Sequence, residues 1–352
     1  MDSHNFLTFH RDEARHEFYR TQRTSDPFLD PRTKTWIVTN PSDCRQLISS
    51  EKLRPATYAE DYRVLSQRFD IDFSALVFAF SHIPLCHHGE RHARSRRMAS
   101  EFLAARRTAI AARIPELTAR HLSAFKRTGK FEVMSDALEP MIREYICLIA
   151  GIEIGAAHDC SHASLIFDRS SGLNKRQAME PEIAALRKLI VSHLGEGAPE
   201  DEVGLRLAYV ILGMDPLKGM LGESLHKILE SNAGRKLTEI KFPELPPETG
   251  VPFIERLVVI PFRLGKIAFN PGDRVRIFLQ SFAAEPSDPS RSNFFGAGPH
   301  TCLGRSLSVE IWKGVASFLS EIPLCASVLS YAPRTSDYVF TCPDKLDVEV
   351  RA

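Results

Sequence analysis

The chain has 352 residues, 43% hydrophobic and 25% charged, enough for a large buried core and ordinary for a water-soluble globule. A net charge of +1 argues against general nucleic-acid binding, and the absence of an eighteen-residue apolar run or an apolar leader argues against a membrane span or export. Seven cysteines, an odd number without a CxxC pair, point to a reducing cytoplasm rather than a disulfide scaffold or a zinc ribbon.

The predicted elements, in chain order, begin with a strand at Thr35-Trp-Ile-Val-Thr39 and a helix from about Ser42. Helical periodicity then fills 90–235, with breaks near 128–132, 151–158 and 195–201. Within it, His92 and Arg96 stand four apart on one helical face. A long central helix is predicted over Val203–Glu230, roughly 40 Å at 1.5 Å per residue. Pro216 lies inside it, removing an N–H and freeing the carbonyl of Leu212, so a kink is expected there. Ile267–Leu279 reads as strand, Pro-Gly turn, strand, and 338–341 with 346–350 as a second strand pair. No linker or repeat appears, so residues 1–352 read as one domain, mainly α with small β-sheets.

The most informative stretch is Phe295-Gly-Ala-Gly298-Pro-His300-Thr-Cys302-Leu-Gly304. Gly298 can take positive φ and let backbone approach a flat ligand. Gly304 removes a side chain beside the sulfur, where an amphipathic helix begins. Leu307, Ile311, Val315, Phe318, Leu319 and Ile322 mark its buried face. First-turn amides have no partner within a helix and would stabilise a Cys302 thiolate, suiting it to ligate iron. A buried structural cysteine in a glycine-rich turn is the other reading of this stretch.

Phe-x-x-Gly-x-x-x-Cys-x-Gly resembles the haem-binding signature of cytochrome P450, in its soluble bacterial form. The resemblance implies the cytochrome P450 fold, shortened, as a single haem-thiolate domain with haem b, and Cys302 as the iron ligand. It implies cofactor contacts from Phe295, Gly298 and Gly304. It also implies propionate partners at His92, Arg96, Arg256 and His300, where arginine suits a carboxylate best. The other positives on the helix, Arg91, Arg94, Arg97, Arg106 and Arg107, read as a solvated face or as a docking site for a ferredoxin or other acidic electron donor.

Three departures accompany the match. In the central helix Gly213 fits the family's small position and Asp215 its acid, but Pro216 falls where a proton-delivering alcohol usually stands. These three residues are the candidate catalytic set. Glu244-Leu-Pro-Pro247 stands where the family has Glu-x-x-Arg, without the arginine and with little chance of a helix. The segment between Ala283 and Phe294 is shorter than the family's meander, leaving the usual glutamate–arginine lock incomplete or rebuilt.

The functional expectation is a cytoplasmic haem-dependent oxidoreductase, monooxygenase-like, acting on a small metabolite in specialised metabolism. Pro216 favours an alternative, a haem-thiolate enzyme using peroxide or catalysing a redox-neutral dehydration, isomerisation or coupling. A haem sensor or non-catalytic scaffold is the third reading. Substrate contacts are implied around 62–85, 161–183, 212–216, 258–262 and 336–340. The aromatics there (Phe69, Phe73, Phe78, Phe80, Phe167, Phe262 and Phe340) suggest an apolar or aromatic ligand, and Arg169 or Arg176 could meet a carboxylate.

Overall fold

The computed structural model describes residues 25–31, 33–56, 58–153, 166–167, 172–284, 289–334 and 339–352, and among these strands come first and last with helices between them. Of the expected contact segments, residues 161–165, 168–171 (with Arg169) and 336–338 lie outside these residues. The first elements are β1 (Phe28–Asp30), β2 (Thr35–Val38), α1 (Pro41–Ile48) and β3 (Leu53–Pro55). Asn40 caps α1 by accepting from the Ser42 amide at 2.9 Å, and Pro41 follows at the first helical position, where its missing N–H costs nothing.

The helices are α2 (Tyr58–Phe69), α3 (Ser74–His82), α4 (Gly89–His121), α5 (Glu139–Ala150), α6 (Leu173–Leu194) and α7 (Glu200–Ser231), with strand β4 (Gly129–Glu132) before α5. Then come β5 (Phe253–Val258), β6 (Phe262–Leu264), β7 (Ile267–Phe269), β8 (Arg274–Phe278), α8 (Arg305–Ser320), β9 (Cys325–Pro333) and β10 (Pro343–Arg351). The breaks predicted near 128–132 and 195–201 hold, the first of them as a strand, while of the break predicted at 151–158 only 151–153 lie among the described residues. None of the described helices is long and apolar enough to cross a membrane.

Two strand predictions need correction. Ile267–Leu279 does form two strands, but they do not pair with each other. β7 pairs with β6, while β8 joins the sheet β1-β2-β8-β5-β3, parallel to β2 and antiparallel to β5. The partner of β10 is β9, not the segment before it, and β4 pairs on its other edge. The first is an error of partner, which local alternation cannot specify, and in the second the described residues 339–341 form no strand at all.

The described chain forms two compact units. The first comprises Met1–Arg54, Ile114–Glu139 and Pro216–Ala352. Its core joins the five-stranded sheet to α1 and to the segment before Cys302, through residues such as Cys44, Ile277, Phe282 and Phe294. Each fully buried aliphatic or aromatic side chain there contributes about 2 kcal/mol. The second comprises Pro55–Arg113 and Pro140–Asp215. Tyr58, Tyr62, Phe73, Phe80 and Phe167 pack ring against ring in it, two pairs stacked and three edge-on, with centroids 4.9–5.6 Å apart.

Candidate functional site

The loop around Cys302 is built largely from backbone. Gly296 and Gly298 take φ of +74° and +63°, a left-handed region costly for residues with a Cβ. A Cβ on Gly298 would also lie 2.9 Å from that of Ser49. The Cys302 amide donates to the Phe295 carbonyl at 2.7 Å, and the Thr301 hydroxyl donates to the Gly298 carbonyl at 2.8 Å. Phe295 is half-buried against the sheet core, which anchors the loop's first residue. Gly296 escaped the sequence reading, although its spacing from Gly298 is the available signal.

Cys302 is exposed. A Cβ on Gly304 would stand 3.8 Å from its sulfur, so the sulfur lies against the residue preceding α8. The buried cysteines contrast with it. Cys44 is fully buried, its thiol 3.3 Å from the Val38 carbonyl, and burial pushes its pKa up to about 12. Burial likewise pushes Cys147 up to about 11. Both are inert core thiols, while Cys302 has the access a ligand requires.

In the same unit Arg256 is buried on β5, its Nη1 donating to the Glu255 carbonyl at 2.9 Å. Strand alternation sends Glu255 to the opposite face, where Arg276 and Arg274 meet it at 3.1 and 3.6 Å. His300 is half-buried in the cysteine loop. In the second unit, His92 is buried and Arg96 half-buried on α4.

The remaining α4 arginines divide. Arg91, Arg94, Arg97 and Arg107 are exposed. Arg91 donates to the Ser81 carbonyl at 2.6 Å, and Arg94 approaches Asp201 at 3.9 Å. Arg106 is half-buried and lies 3.6 Å from the centre of the Phe102 ring. Burial and then the charge of Arg206 lower its pKa. Arg206 is itself buried, donating to the Ala150 and Gly151 carbonyls at 3.0 and 2.6 Å and to Glu202 at 2.6 Å. It satisfies the last carbonyls of α5, a role invisible from sequence because it acts across 55 residues.

α7 runs without a break through Pro216. Tyr209, Leu212, Gly213 and Pro216 are half-buried within an otherwise buried stretch, at i, i+3, i+4 and i+7. That spacing is one helical face, so the proline sits on the side of α7 that is less closely covered. Gly213 also serves packing, since a Cβ there would meet Ile146 of α5 at 2.3 Å. Asp215 is 1% exposed, off that face.

Several expected contact aromatics are already occupied. Phe73, Phe80 and Phe167 belong to the aromatic cluster, and Arg176 lies over Tyr62 at 5.5 Å. Phe78 carries the Arg187 guanidinium at 3.7 Å, Phe262 stacks on Phe269 at 4.7 Å, and Phe69 is exposed. Phe340 is buried. Apart from the exposed Phe69, packing within the fold accounts for their apolar character.

Glu244 is exposed and its segment forms no helix, as the two prolines imply. The buried carboxylate of this region is Glu248, which the sequence reading passed over. It accepts from Lys227 Nζ and from Gln280 Nε2. Among the described residues, no group of three or more His, Cys, Asp or Glu side chains forms a separate metal site.

No protein-family model and no curated protein matches the sequence. Solved structures do match in fold. A cytochrome P450 haem domain from Tepidiphilus thermophilus is 16% identical, with a TM-score of 0.77 over 99% of this chain and 96% of its own. P450BioI, solved with an acyl carrier protein bearing hexadec-9Z-enoic acid, is 18% identical at a TM-score of 0.76, covering 98% and 99%. A versatile cytochrome P450 from Bacillus subtilis is 15% identical at 0.74, covering 95% and 98%. Near-complete coverage in both directions at such low identity speaks for architecture, and the chain has the cytochrome P450 fold in the form of bacterial members.

Proposed function

We propose that this chain is a haem-thiolate enzyme that oxidises a small organic metabolite in specialised metabolism, with residues 1–352 acting as one cytoplasmic haem-thiolate domain. The observation that carries the reading is the exposed Cys302 sulfur, on a loop closed by the 2.7 Å Cys302–Phe295 hydrogen bond, within a cytochrome P450 fold. The local chemistry fits haem b. Cys302 offers a soft anionic ligand, Gly304 presents no side chain to it, and Arg256 offers a buried cation for a propionate. Bound there, haem supplies the redox chemistry, with the thiolate donating electron density to the iron.

The chain's own residues supply the rest. His92, Arg96, Arg256 and His300 would hold the propionates, Phe295 and Gly298 would contact the cofactor, and the first turn of α8 would favour the thiolate over the thiol. Asp215 relays a proton from its buried position, and Gly213 lets α7 lie close against Ile146 of α5. Arg94, Arg97 and Arg107 form a basic surface for an acidic electron donor such as a ferredoxin.

Pro216 on the half-buried face of α7 favours a second reading. No hydroxyl is present at that position to deliver a proton, so the enzyme uses peroxide or performs a redox-neutral dehydration, isomerisation or coupling. The test is spectroscopy of the ferric, reduced and reduced-carbonyl forms, then turnover on a metabolite panel with reductant plus dioxygen or with peroxide. Reductant-dependent oxidation supports the first reading, and peroxide-only or redox-neutral conversion the second. A shifted Soret band without turnover indicates a sensor or scaffold, and its absence from the wild-type protein overturns thiolate ligation.

A further inference from the structure

We infer that Glu248 is a positioning residue for Cys302, acting through the strap of residues 237–252 that grips both segments flanking the sulfur. The inference rests on the haem-thiolate reading for its consequence, though not for its geometry. Apart from a single 3-10 turn at Leu237–Glu239 the strap has no helix or strand, yet 246–250 are buried. Backbone without regular structure in a buried place needs other hydrogen-bond partners.

On one flank, the Glu248 carboxylate takes Lys227 Nζ and Gln280 Nε2, and the Glu248 amide donates to Ser224 Oγ at 3.3 Å. The Gln280 amide donates to the Pro252 carbonyl at 3.0 Å. Gln280 lies on the 3-10 turn Leu279–Ala284, which packs against the next one, Pro289–Phe295. That second turn carries the buried Arg291, whose pKa is lowered by burial and held up by the charge of Glu248. It ends at Phe295, whose carbonyl receives the Cys302 amide.

On the other flank, Trp312 of α8 is fully buried and donates from Nε1 to the Pro243 carbonyl at 2.9 Å. Beyond α8, the carbonyls of Leu324 and Ile322 accept from Leu237 and Thr238 at 2.9 and 3.2 Å. Glu248 is thus the buried charge that seats the strap, with cations on more than one side. Removing its charge leaves those cations uncompensated and loosens the segment that enters the cysteine loop.

The experiment is peptide-resolved hydrogen exchange on the full chain, with and without added haem. In Glu248→Gln, exchange of the peptide spanning 295–305 should rise about tenfold, while β9–β10 peptides keep wild-type protection. Glu248→Asp should recover part of the loop's protection. With haem, the shifted band of the reduced carbonyl complex should give way to an unshifted one in Glu248→Gln. Unchanged loop exchange, or an equal rise in loop and β10, overturns the inference. If Glu248→Gln does not fold, the pair Glu248→Met with Lys227→Met removes both charges. Native β10 protection with a fast loop then supports the inference, and a fully protected loop overturns it. A wild-type chain that takes up no haem defeats the functional reading, while the exchange arm still decides the role of Glu248.

Discussion

The segments Phe295–Gly304 and 237–252 both run largely without regular structure, and both help define where the sulfur sits. The first is held mainly by its own backbone, with two left-handed glycines and a hydrogen bond that closes within eight residues. The second is held by partners from elsewhere in the chain: Lys227, Ser224, Gln280 and Trp312. A loop of the first kind is encoded locally and tolerates a changed neighbourhood. A strap of the second kind can replace a lost helix only if its distant partners are present together.

The largest effect should follow from Cys302→Ser, which leaves the loop's backbone bonds intact while removing the sulfur. It should abolish the shifted Soret band of the reduced carbonyl complex; a retained band would mean that the loop does not serve the ligand. Next comes Asp215→Asn on α7, which belongs to neither segment. Turnover should fall about a hundredfold, the scale of a lost general acid, with haem content unchanged. Unchanged turnover would remove Asp215 from the mechanism. Lys227→Met should then cost about 2 kcal/mol in chemical denaturation, because Glu248 stays buried with less compensation. A loss confined to a few tenths would show that Gln280 and the field of Arg291 suffice to hold the strap.

The same contrast explains what could be read in the sequence. The Cys302 loop, α8 and the early strand were legible because glycine spacing and apolar periodicity carry them within a dozen or so residues. Pro216 was legible as a departure, and its place on the half-buried face of α7 follows from helical spacing once the helix is known to continue. Glu248 was not legible. Its significance comes from burial beside Lys227 and Gln280, and the Glu-x-x-Arg resemblance drew attention to Glu244 instead. Arg106 was hidden similarly, since stacking on Phe102 beside Arg206 has no local signature. The aromatic residues showed their apolarity, but only packing separates a ring that lines a ligand from one that fills a core.

Gly298→Ala tests the locally encoded side at a smaller scale. The new methyl group meets Ser49 and the residue stays in the left-handed region, so stability should fall by about 1–2 kcal/mol. Exchange in 295–305 should quicken while the strap keeps its protection. If the strap loosens equally, the two segments are one cooperative piece and the contrast between them fails.

The smallest effect lies in the second unit, where His87 pins the irregular stretch before α4. Its Nε2 lies 2.9 Å from the Ser81 carbonyl, which can only accept, so Nε2 carries the hydrogen. Burial keeps the ring neutral, so Nδ1 accepts from the Ser95 hydroxyl at 3.0 Å, in competition with the His92 carbonyl at 3.2 Å. Burial first, then the Arg91 charge, with His82 and His92 adding to it, lowers the pKa from 6.5 to about 4. The unfolded chain takes up this proton as the pH falls below about 6.5, and the fold resists it until about 4. The His87 contribution is therefore complete above that window and is lost as the pH drops through it. His87→Gln keeps a donor for Ser81 and cannot titrate, so the melting temperature should fall less steeply between pH 6.5 and 4 than in the wild type. The charged strap gives the opposite control, because Lys227→Met leaves His87 in place and should preserve the wild-type slope. Equal slopes in wild type and His87→Gln would mean that the ring takes up its proton alike in the folded and unfolded chain, and that burial does not hold it neutral.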